Sequence, residues 1–214
     1  MTNQDNVKKY FIISAAVLLL LVVGAIIWAI SLSPNEETNL SFKDDGDPSF
    51  GSTDSKAVIR VFSDFECPAC RLAEEGTDFV KQIYGDKVGF VWNDFPLEMH
   101  KNSFIAALAA RCAEEQGKFW EYHDLLFARQ DEWAVSETPT VLFEQYAQDQ
   151  SLDDGAFMAC LTTKRYEWKI NNDTLEGTAN RVRATPTFFI NNKRFEGALP
   201  KEVWQAQIKA ILGS

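Results

Sequence analysis

The most prominent hydrophobic pattern is an uninterrupted apolar run near the start of the chain. It extends from Phe11 to Ile30 without a charged residue, and only Ser14 and Gly24 break its apolarity. At about 1.5 Å of rise per helical residue, the run spans roughly 30 Å, which is the thickness of a bilayer core. Because Lys8 and Lys9 precede it, the positive-inside rule places the N-terminus in the cytoplasm.

This run predicts a single-pass protein of the cell membrane, held by its own anchor. Residues 1–10 are then a short cytoplasmic N-terminus, residues 11–32 a transmembrane signal anchor, and the remainder lies on the extracytoplasmic side. A cleaved signal peptide is one alternative, although its apolar region normally covers only about 7–15 residues. A buried helix of a soluble protein is another. Residues 33–56 are polar and acidic with several prolines and glycines, which predicts a flexible, solvated tether, with docking onto the domain near Phe50 as an option.

From residue 57 onward the pattern is that of a folded domain, predicted to extend over residues 57–214. Ala57 to Phe62 is a short, β-branched apolar run that is typical of a buried strand. The apolar positions that follow, as far as Tyr84, fit one face of a helix, and Val88 to Trp92 forms a second strand. A strand, a helix and a strand of these lengths predict a right-handed βαβ unit with parallel strands.

The second half of the pattern is helical and then returns to strand. Residues from about 97 to 180 show helical spacing with cap residues such as Thr138 and Asp153, which predicts a helical insertion. Two short strands, residues 187–190 and 193–196, then flank a pair of asparagines and predict a tight hairpin before a terminal helix. The predicted fold class is therefore α/β, in the order β-α-β, helical insertion, β-β-α.

Composition excludes several classes of protein. The 214 residues include 31 acidic and 21 basic side chains, a formal net charge of −10. A body of this charge repels phosphate backbones, so no nucleic-acid partner is predicted. With 46% hydrophobic residues the chain is too apolar to be mainly disordered. Four cysteines are too few for a small protein built on disulfides.

Two of the cysteines, Cys67 and Cys70, fall where the first predicted strand passes into the first helix. A thiol at a helix N-terminus meets unpaired N–H groups and the positive end of the helix dipole, which favour the thiolate and lower the cysteine pKa. Because a stabilised thiolate is a good leaving group, the disulfide of such a pair is oxidising. Cys70, one turn further on, can attack a mixed disulfide at Cys67. Pro68 suits the first helical turn because it has no N–H group.

Charged neighbours affect the same thiol in opposite directions. Arg71 is a nearby cation that supports the thiolate, whereas Asp64 and Glu66 are anions that oppose it. The sequence therefore predicts the direction of the pKa shift at Cys67 but not its size.

A bare Cys-x-x-Cys also occurs in zinc sites, which need four ligands and usually repeat a short spacing. The other candidate ligands, Cys112, Cys160, His100 and His123, are isolated in the sequence. An inert disulfide closing so short a loop is a further alternative, but it would constrain the unfolded chain little. No metal site and no cofactor are predicted.

A second feature is the segment Ala184 to Ile190, in which Pro186 opens a predicted strand. If the bond between Thr185 and Pro186 is cis, the Thr185 backbone is left free beside the strand end, where an extended peptide could pair with it. A trans proline that simply opens the strand is the alternative.

These segments together carry a family resemblance. The chain resembles the DsbA-like thiol:disulfide oxidoreductases, which have a thioredoxin fold with an inserted helical subdomain, and in particular their membrane-anchored, BdbD-like branch. The resemblance covers about residues 47–214 and is carried by five segments: Val61 to Cys70, Phe95 to Leu97 with His100, Cys112 to Trp120, Phe157 to Leu161, and Ala184 to Asn191.

The resemblance implies roles for several residues. Cys67 would be the exposed nucleophile, Cys70 would resolve mixed disulfides, and Pro186 would be cis and pack against the disulfide. Ala69 stands where the best-known strong oxidant of the family has histidine, which implies a weaker oxidant. Cys112 and Cys160, in the predicted insertion, would form a second, structural disulfide. Two unpaired thiols outside the cytoplasm would be a liability, and the alternative is two buried free cysteines.

The sequence thus predicts an extracytoplasmic thiol:disulfide oxidoreductase that introduces disulfides into exported proteins through Cys67 and Cys70. Its expected partners are reduced exported proteins and a membrane quinone-linked oxidase of the DsbB or vitamin-K-epoxide-reductase (VKOR) type. A reductase or isomerase on the same fold is the nearest alternative. A non-catalytic chaperone that binds peptides is an alternative of another class.

Overall fold

The computed structural model describes residues 40–43 and 46–213. The predicted cytoplasmic segment 1–10, the predicted anchor 11–32 and the first residues of the predicted tether lie outside this part of the chain. Within it, no helix has the length and apolarity that crossing a membrane requires.

A five-stranded mixed sheet forms the centre of the domain. Its strands are β1 (Ser49–Gly51), β2 (Ala57–Ser63), β3 (Val88–Asp94), β4 (Thr187–Ile190) and β5 (Lys193–Glu196), in the spatial order β1-β3-β2-β4-β5. Strands β2 and β3 are parallel, whereas β4 runs antiparallel to β2, and β5 and β1 are antiparallel to their neighbours. This is the thioredoxin arrangement that the sequence predicts.

Helices follow the predicted order around this sheet. Helix α1 (Pro68–Tyr84) connects the parallel pair, and α8 (Lys201–Leu212) ends the domain. Six helices lie between β3 and β4: α2 (Ser103–Glu114), α3 (Phe119–Ala128), α4 (Gln130–Trp133), α5 (Pro139–Asp149), α6 (Asp154–Thr162) and α7 (Glu167–Ala179).

The central strands are apolar throughout because both faces of the sheet are covered. Successive side chains of a strand point to opposite faces, so Val61 joins the main core while Phe62 joins a second cluster. On the main face, Trp204 of α8 packs edge-on against Phe188 at 4.9 Å. On the other face, α7 approaches closely at Gly177, where a Cβ atom would lie 2.6 Å from the ring of Phe95.

The last residues before β2, within the predicted tether over residues 33–56, pack against the domain. Ser49–Gly51 adds an edge strand to β3, and Phe50 stacks on Phe90 with 4.8 Å between ring centroids. Phe42 packs against Phe189 at 5.0 Å. The edge strand itself is not visible in the sequence, because three residues are too few to show an alternating pattern.

A buried charge network joins this segment to the helical insertion. Arg111 of α2 binds Asp94 at 2.6 Å, Asp173 at 2.8 Å and Asp47 at 3.1 Å, and Lys169 binds Asp47 at 2.6 Å. All five side chains are at most 3% exposed. Burial, followed by the charge of Asp94, raises the pKa of Asp173 to about 7. The network therefore connects the N-terminal segment, β3, α2 and α7 through buried charged side chains.

Candidate active site

Cys67 and Cys70 lie at the N-terminus of α1, directly beyond the carboxyl end of β2. Cys67 is the residue before the helix, with extended backbone angles, and Pro68 occupies the first helical position. The Cys67 carbonyl accepts hydrogen bonds from the N–H groups of Cys70 at 3.0 Å and of Arg71 at 3.2 Å. Both sulfurs are free thiols; Cys67 is 7% exposed and Cys70 is fully buried. Only the first is positioned for attack by an incoming thiolate.

The two thiols differ strongly in acidity. The hydrogen bond from the Cys70 thiol, together with the backbone N–H groups of Cys70 and Ala69, outweighs the opposing effect of burial and lowers the pKa of Cys67 to about 5. Burial and the neighbouring Cys67 raise the pKa of Cys70 well above its usual value. The site therefore holds one stable thiolate beside one protonated thiol.

The other wall of the site comes from the residues that precede β4. The Thr185–Pro186 peptide bond is cis, and the Thr185 carbonyl oxygen lies 3.4 Å from the Cys67 sulfur, where it accepts a hydrogen bond from Cys67 in its protonated, thiol form. Thr185 is buried, and its hydroxyl group has no hydrogen-bond partner among the described residues. The structure thus brings together two segments that are 118 residues apart in the sequence.

Asp64 organises the loop between β2 and Cys67. Its buried carboxylate lies 2.6 Å from Nδ1 of His100, accepts the N–H of Leu97 at 2.9 Å and accepts the hydroxyl group of Ser103. Its own N–H donates to the Cys70 sulfur at 3.4 Å. The sequence identifies Asp64 only as an anion that opposes the thiolate. In the structure it positions the backbone around the cysteine pair.

Glu66 and His100 complete the charged surroundings. Burial raises the pKa of Glu66, whose carboxylate accepts the N–H of Asn102 at 2.6 Å. Burial alone lowers the pKa of His100, but the hydrogen bond to Asp64 and the charge of Cys67 outweigh it, and the net shift is upward. An imidazolium at His100 therefore favours the Cys67 thiolate electrostatically.

The remaining predicted neighbours lie on the exposed side of α1. Pro68 is exposed and Ala69 is half-buried. Arg71 pairs with Asp131 at 2.8 Å, so its guanidinium contacts the short helix α4.

Gln130 is a site residue that the sequence does not reveal. Its buried side-chain amide donates to the Phe65 carbonyl at 2.6 Å and to the Cys67 carbonyl at 3.1 Å. A glutamine in a helical segment 63 residues from Cys67 gives no local signal of this contact.

The other two cysteines form a disulfide. Cys112 of α2 and Cys160 of α6 are bonded with 5.8 Å between their Cα atoms, and both are fully buried. The bond connects two helices of the insertion that are separated by 48 residues.

Alkylation of the reduced protein is expected to show the acidity of Cys67 directly. With a pKa of about 5, the rate of reaction with iodoacetamide should rise through pH 5 and level off near pH 7. When folding lowers the pKa of an acidic group, the folded state is stabilised at pH values above the pKa that the group has in the unfolded chain. This stabilisation is lost as the pH falls through the pKa that the group has in the folded protein. The thiolate should therefore contribute about 3 kcal/mol to the stability of the reduced form at pH 7 and almost nothing at pH 4.

The Cys67→Ser variant provides the control for this measurement, because it should lose both the inflection near pH 5 and the associated gain in stability. An alkylation midpoint between pH 8 and 9, like that of a free thiol, would contradict the assignment.

Comparison with known proteins places the chain in a family. Residues 43–210 match a family model described as Thioredoxin. Two curated relatives are named Na(+)/H(+) antiporter NhaA. That of Salinispora tropica, NhaA 3, is 34% identical over 167 residues, and NhaA 1 of Mycolicibacterium vanbaalenii is 34% identical over 196 residues. They match 77% and 86% of this chain, but the chain spans only 24% and 30% of their length.

Solved structures share the fold over most of the domain. Oxidised BdbD from Bacillus subtilis has a TM-score of 0.69 at 21% identity, over 78% of this chain and 94% of its own. Alpha-DsbA1 from Wolbachia pipientis has a TM-score of 0.71 at 23% identity, over 83% of this chain and 96% of its own.

A cysteine pair at the N-terminus of α1, in a chain that matches the thioredoxin family model, defines a thiol–disulfide oxidoreductase. The chain belongs to the thioredoxin family. The predicted resemblance, the thioredoxin-like α/β fold and the enzyme class are therefore confirmed.

The predicted localisation requires correction. The sequence predicts a single-pass protein of the cell membrane with its catalytic domain on the extracytoplasmic side. The curated relatives are instead named as Na(+)/H(+) antiporters. This finding contradicts the predicted localisation, and it is withdrawn.

Proposed function

We propose that this chain is a thiol oxidase that introduces disulfides into exported proteins. The observation that carries the proposal is the difference in acidity between the two thiols, with a pKa of about 5 at Cys67 and a raised pKa at buried Cys70. A stabilised thiolate lowers the free energy of the reduced form. The disulfide form consequently tends to accept electrons from ordinary protein thiols.

The proposed reaction starts from the Cys67–Cys70 disulfide. A substrate thiolate attacks the Cys67 sulfur, the bond between the two cysteines breaks, and Cys70 leaves with an electron pair and takes up a proton. A second substrate thiol, after losing its proton, attacks the mixed disulfide and releases Cys67 as its stable thiolate. Two substrate thiols become one disulfide, and the enzyme gains the two electrons.

The surrounding residues are proposed to bind and orient the substrate. The Thr185 backbone, beside Pro186 and within 3.4 Å of the Cys67 sulfur, would pair with an extended substrate segment as an added strand. Exposed Pro68 and half-buried Ala69 would form the surface on which the substrate cysteine approaches. Glu66 would hold the loop, and Arg71 would lie at the edge of the contact.

The second disulfide supports work in an oxidising compartment. The buried Cys112–Cys160 disulfide is of the kind that persists in such compartments and is rare in the cytosol. An oxidase also needs its own disulfide restored after each turnover. We propose that a quinone-linked membrane oxidase of the DsbB or VKOR type accepts the two electrons.

Equilibration of the Cys67–Cys70 pair with glutathione redox buffers tests this direction. Thioredoxin, with a cysteine pKa near 7, lies at about −270 mV, and DsbA, with a pKa of about 3.5, lies at about −120 mV. A pKa of about 5 at Cys67 leads us to expect a potential more oxidising than about −230 mV. A value near that of thioredoxin would favour the reductase alternative.

A matched pair of variants at Ala69 separates the thiolate effect from other influences. Ala69→Asp places an anion beside the Cys67 sulfur and should make the potential more reducing, whereas Ala69→Asn, of nearly equal shape, should change it little.

If disulfide formation in a reduced test protein persists after both Cys67 and Cys70 are replaced, the oxidase proposal fails. If only protection against aggregation persists, the chaperone alternative gains support.

A further inference from the structure

His123 of α3 is a buried polar side chain to which the thiol chemistry assigns no role. Its ring is 1% exposed and lies among aromatic neighbours, with the ring of Trp92 at 4.6 Å and that of Phe127 at 5.0 Å. Its Nδ1 atom lies 2.8 Å from a carboxylate oxygen of Asp124. A carboxylate in this position accepts the Nδ1 proton and fixes the tautomer of the ring.

The other ring nitrogen of His123 lacks a hydrogen-bond partner. Nε2 is buried and has none among the described residues. It faces a carboxylate oxygen of Glu74, on α1, at 3.7 Å. With Nδ1 protonated, a neutral ring presents a lone pair at Nε2. Two electron-rich atoms thus face each other at a separation that is too long for a hydrogen bond.

Both carboxylate partners of His123, Glu74 and Asp124, line a groove between α1 and α3. The groove encloses about 450 Å³ and is lined by Glu74, Asp78, Asp124 and Asp131 together with the single cation Arg71. Arg71 pairs with Asp131 at 2.8 Å. The groove is therefore acidic, and its only lining cation already has a partner.

We propose that Glu74 and Nε2 of His123 bind a divalent transition-metal ion such as Zn²⁺, with Asp124 orienting the imidazole from its other side. Ligand bonds of about 2.1 Å at a tetrahedral angle place two ligand atoms about 3.4 Å apart. The observed 3.7 Å separation is close to this spacing. Ligand atoms of Glu74, His123 and Asp124 all lie within 4.8 Å of one another.

The donor set determines the class of ion. An imidazole nitrogen with a carboxylate suits zinc and neighbouring transition metals, whereas calcium and magnesium take mainly oxygen ligands. A carboxylate hydrogen-bonded to the second nitrogen of a ligating histidine is a recurrent outer-sphere partner that raises the basicity of the ring. Water molecules from the groove would complete the coordination. Proton binding is the competing state, in which His123 forms an ion pair with Glu74.

The proposed ion would connect α1, which carries the cysteine pair, to α3 of the helical insertion. It involves neither Cys67 nor Cys70 and is therefore distinct from the cysteine zinc site considered among the sequence alternatives. The proposal is also independent of the direction of thiol exchange, so either can fail without the other.

Titration of the full chain with ZnCl₂ tests the proposal, with Cys67 and Cys70 held as a disulfide so that no thiolate competes for the ion. We expect one zinc ion per chain by competition with a chromophoric chelator, a higher melting temperature in its presence, and an X-ray absorption spectrum with nitrogen and oxygen ligands but no sulfur. Absence of saturable binding, or sulfur in the coordination shell, would overturn the proposal.

Three substitutions distinguish ligation from a general effect of acidic charge. Glu74→Gln should weaken zinc binding at least tenfold, and Asp124→Asn, which alters the outer partner, should weaken it roughly tenfold. Asp131→Asn removes the same charge from the same groove but should change the affinity by less than about twofold, because Asp131 pairs with Arg71. Equal effects of Glu74→Gln and Asp131→Asn would overturn the proposal. Glu74 is only partly buried, so its variant should fold even if a variant of His123 does not.

Discussion

The Cys70→Ala variant is expected to accumulate covalent complexes through Cys67, while net thiol–disulfide exchange falls by a factor of about 10³ or more. In a test protein that contains disulfides, the Cys67 thiolate at the N-terminus of α1 would still attack one of them, form a mixed disulfide and release the other substrate sulfur as a thiolate. Without the buried thiol of Cys70, however, no internal group can break the mixed disulfide. The complexes should be visible on non-reducing gels after acid quenching and should disappear when a reductant is added.

The reciprocal variant, Cys67→Ala, is the matched control. It leaves one thiol in the same motif, but that thiol is fully buried and its pKa is raised. We therefore expect no complexes and a similar loss of exchange. Complexes in equal amounts from both variants would show that the two sulfurs are equivalent, which would contradict the roles proposed for them.

Local patterns in the sequence predict much of the fold because strand and helix periodicities are local properties. The apolar run at Ala57 and the helical face after Cys70 define a βαβ unit without reference to the rest of the chain. The same patterns place the cysteine pair at a helix N-terminus. That position in turn predicts that the pKa of Cys67 is lowered. The helical insertion and the final hairpin are likewise visible as changes of period.

The supporting contacts of the site could not be predicted in the same way. Asp64 meets His100 across 36 residues, and Gln130 meets the Cys67 carbonyl across 63. Each of these side chains looks like an ordinary solvated polar residue in its own segment. Their roles depend on which loops the sheet brings together, and a single sequence carries no local signal of that. The same reason explains why Asp64 appears from the sequence only as an unfavourable anion.

The buried network around Arg111 shows this limit most clearly and allows the second large prediction. Arg111→Ala is expected to destabilise the domain by about 3–5 kcal/mol, since it leaves buried carboxylates that have lost their main cation. Asp47 and Asp173 would then keep Lys169, and Asp47 would also keep Arg60, whereas Asp94 would lose the ion pair it forms with Arg111. Denaturant unfolding followed by circular dichroism, with both disulfides formed, measures the loss.

Arg165→Ala is the matched control for this prediction. Arg165 also forms a close ion pair, at 2.6 Å with Glu115, but its side chain is 49% exposed. Exposed pairs typically contribute at most about 1 kcal/mol, so this variant should unfold almost like the parent. Comparable losses of unfolding free energy from the two substitutions would mean that burial does not increase the contribution of the Arg111 network to stability.

The pH dependence of Arg111→Ala provides an independent test of the electrostatic cause. The pKa of Asp173 is raised to about 7 in the folded protein, so the folded state favours the protonated carboxyl group. The stability that comes from this preference is lost as the pH rises from about 4 to about 7. Removing Arg111 eliminates a cation that keeps this pKa from rising further. The destabilisation should therefore be smaller at pH 5 than at pH 8. A loss that does not vary with pH would assign the effect to the cavity left by the side chain rather than to the unpaired carboxylates.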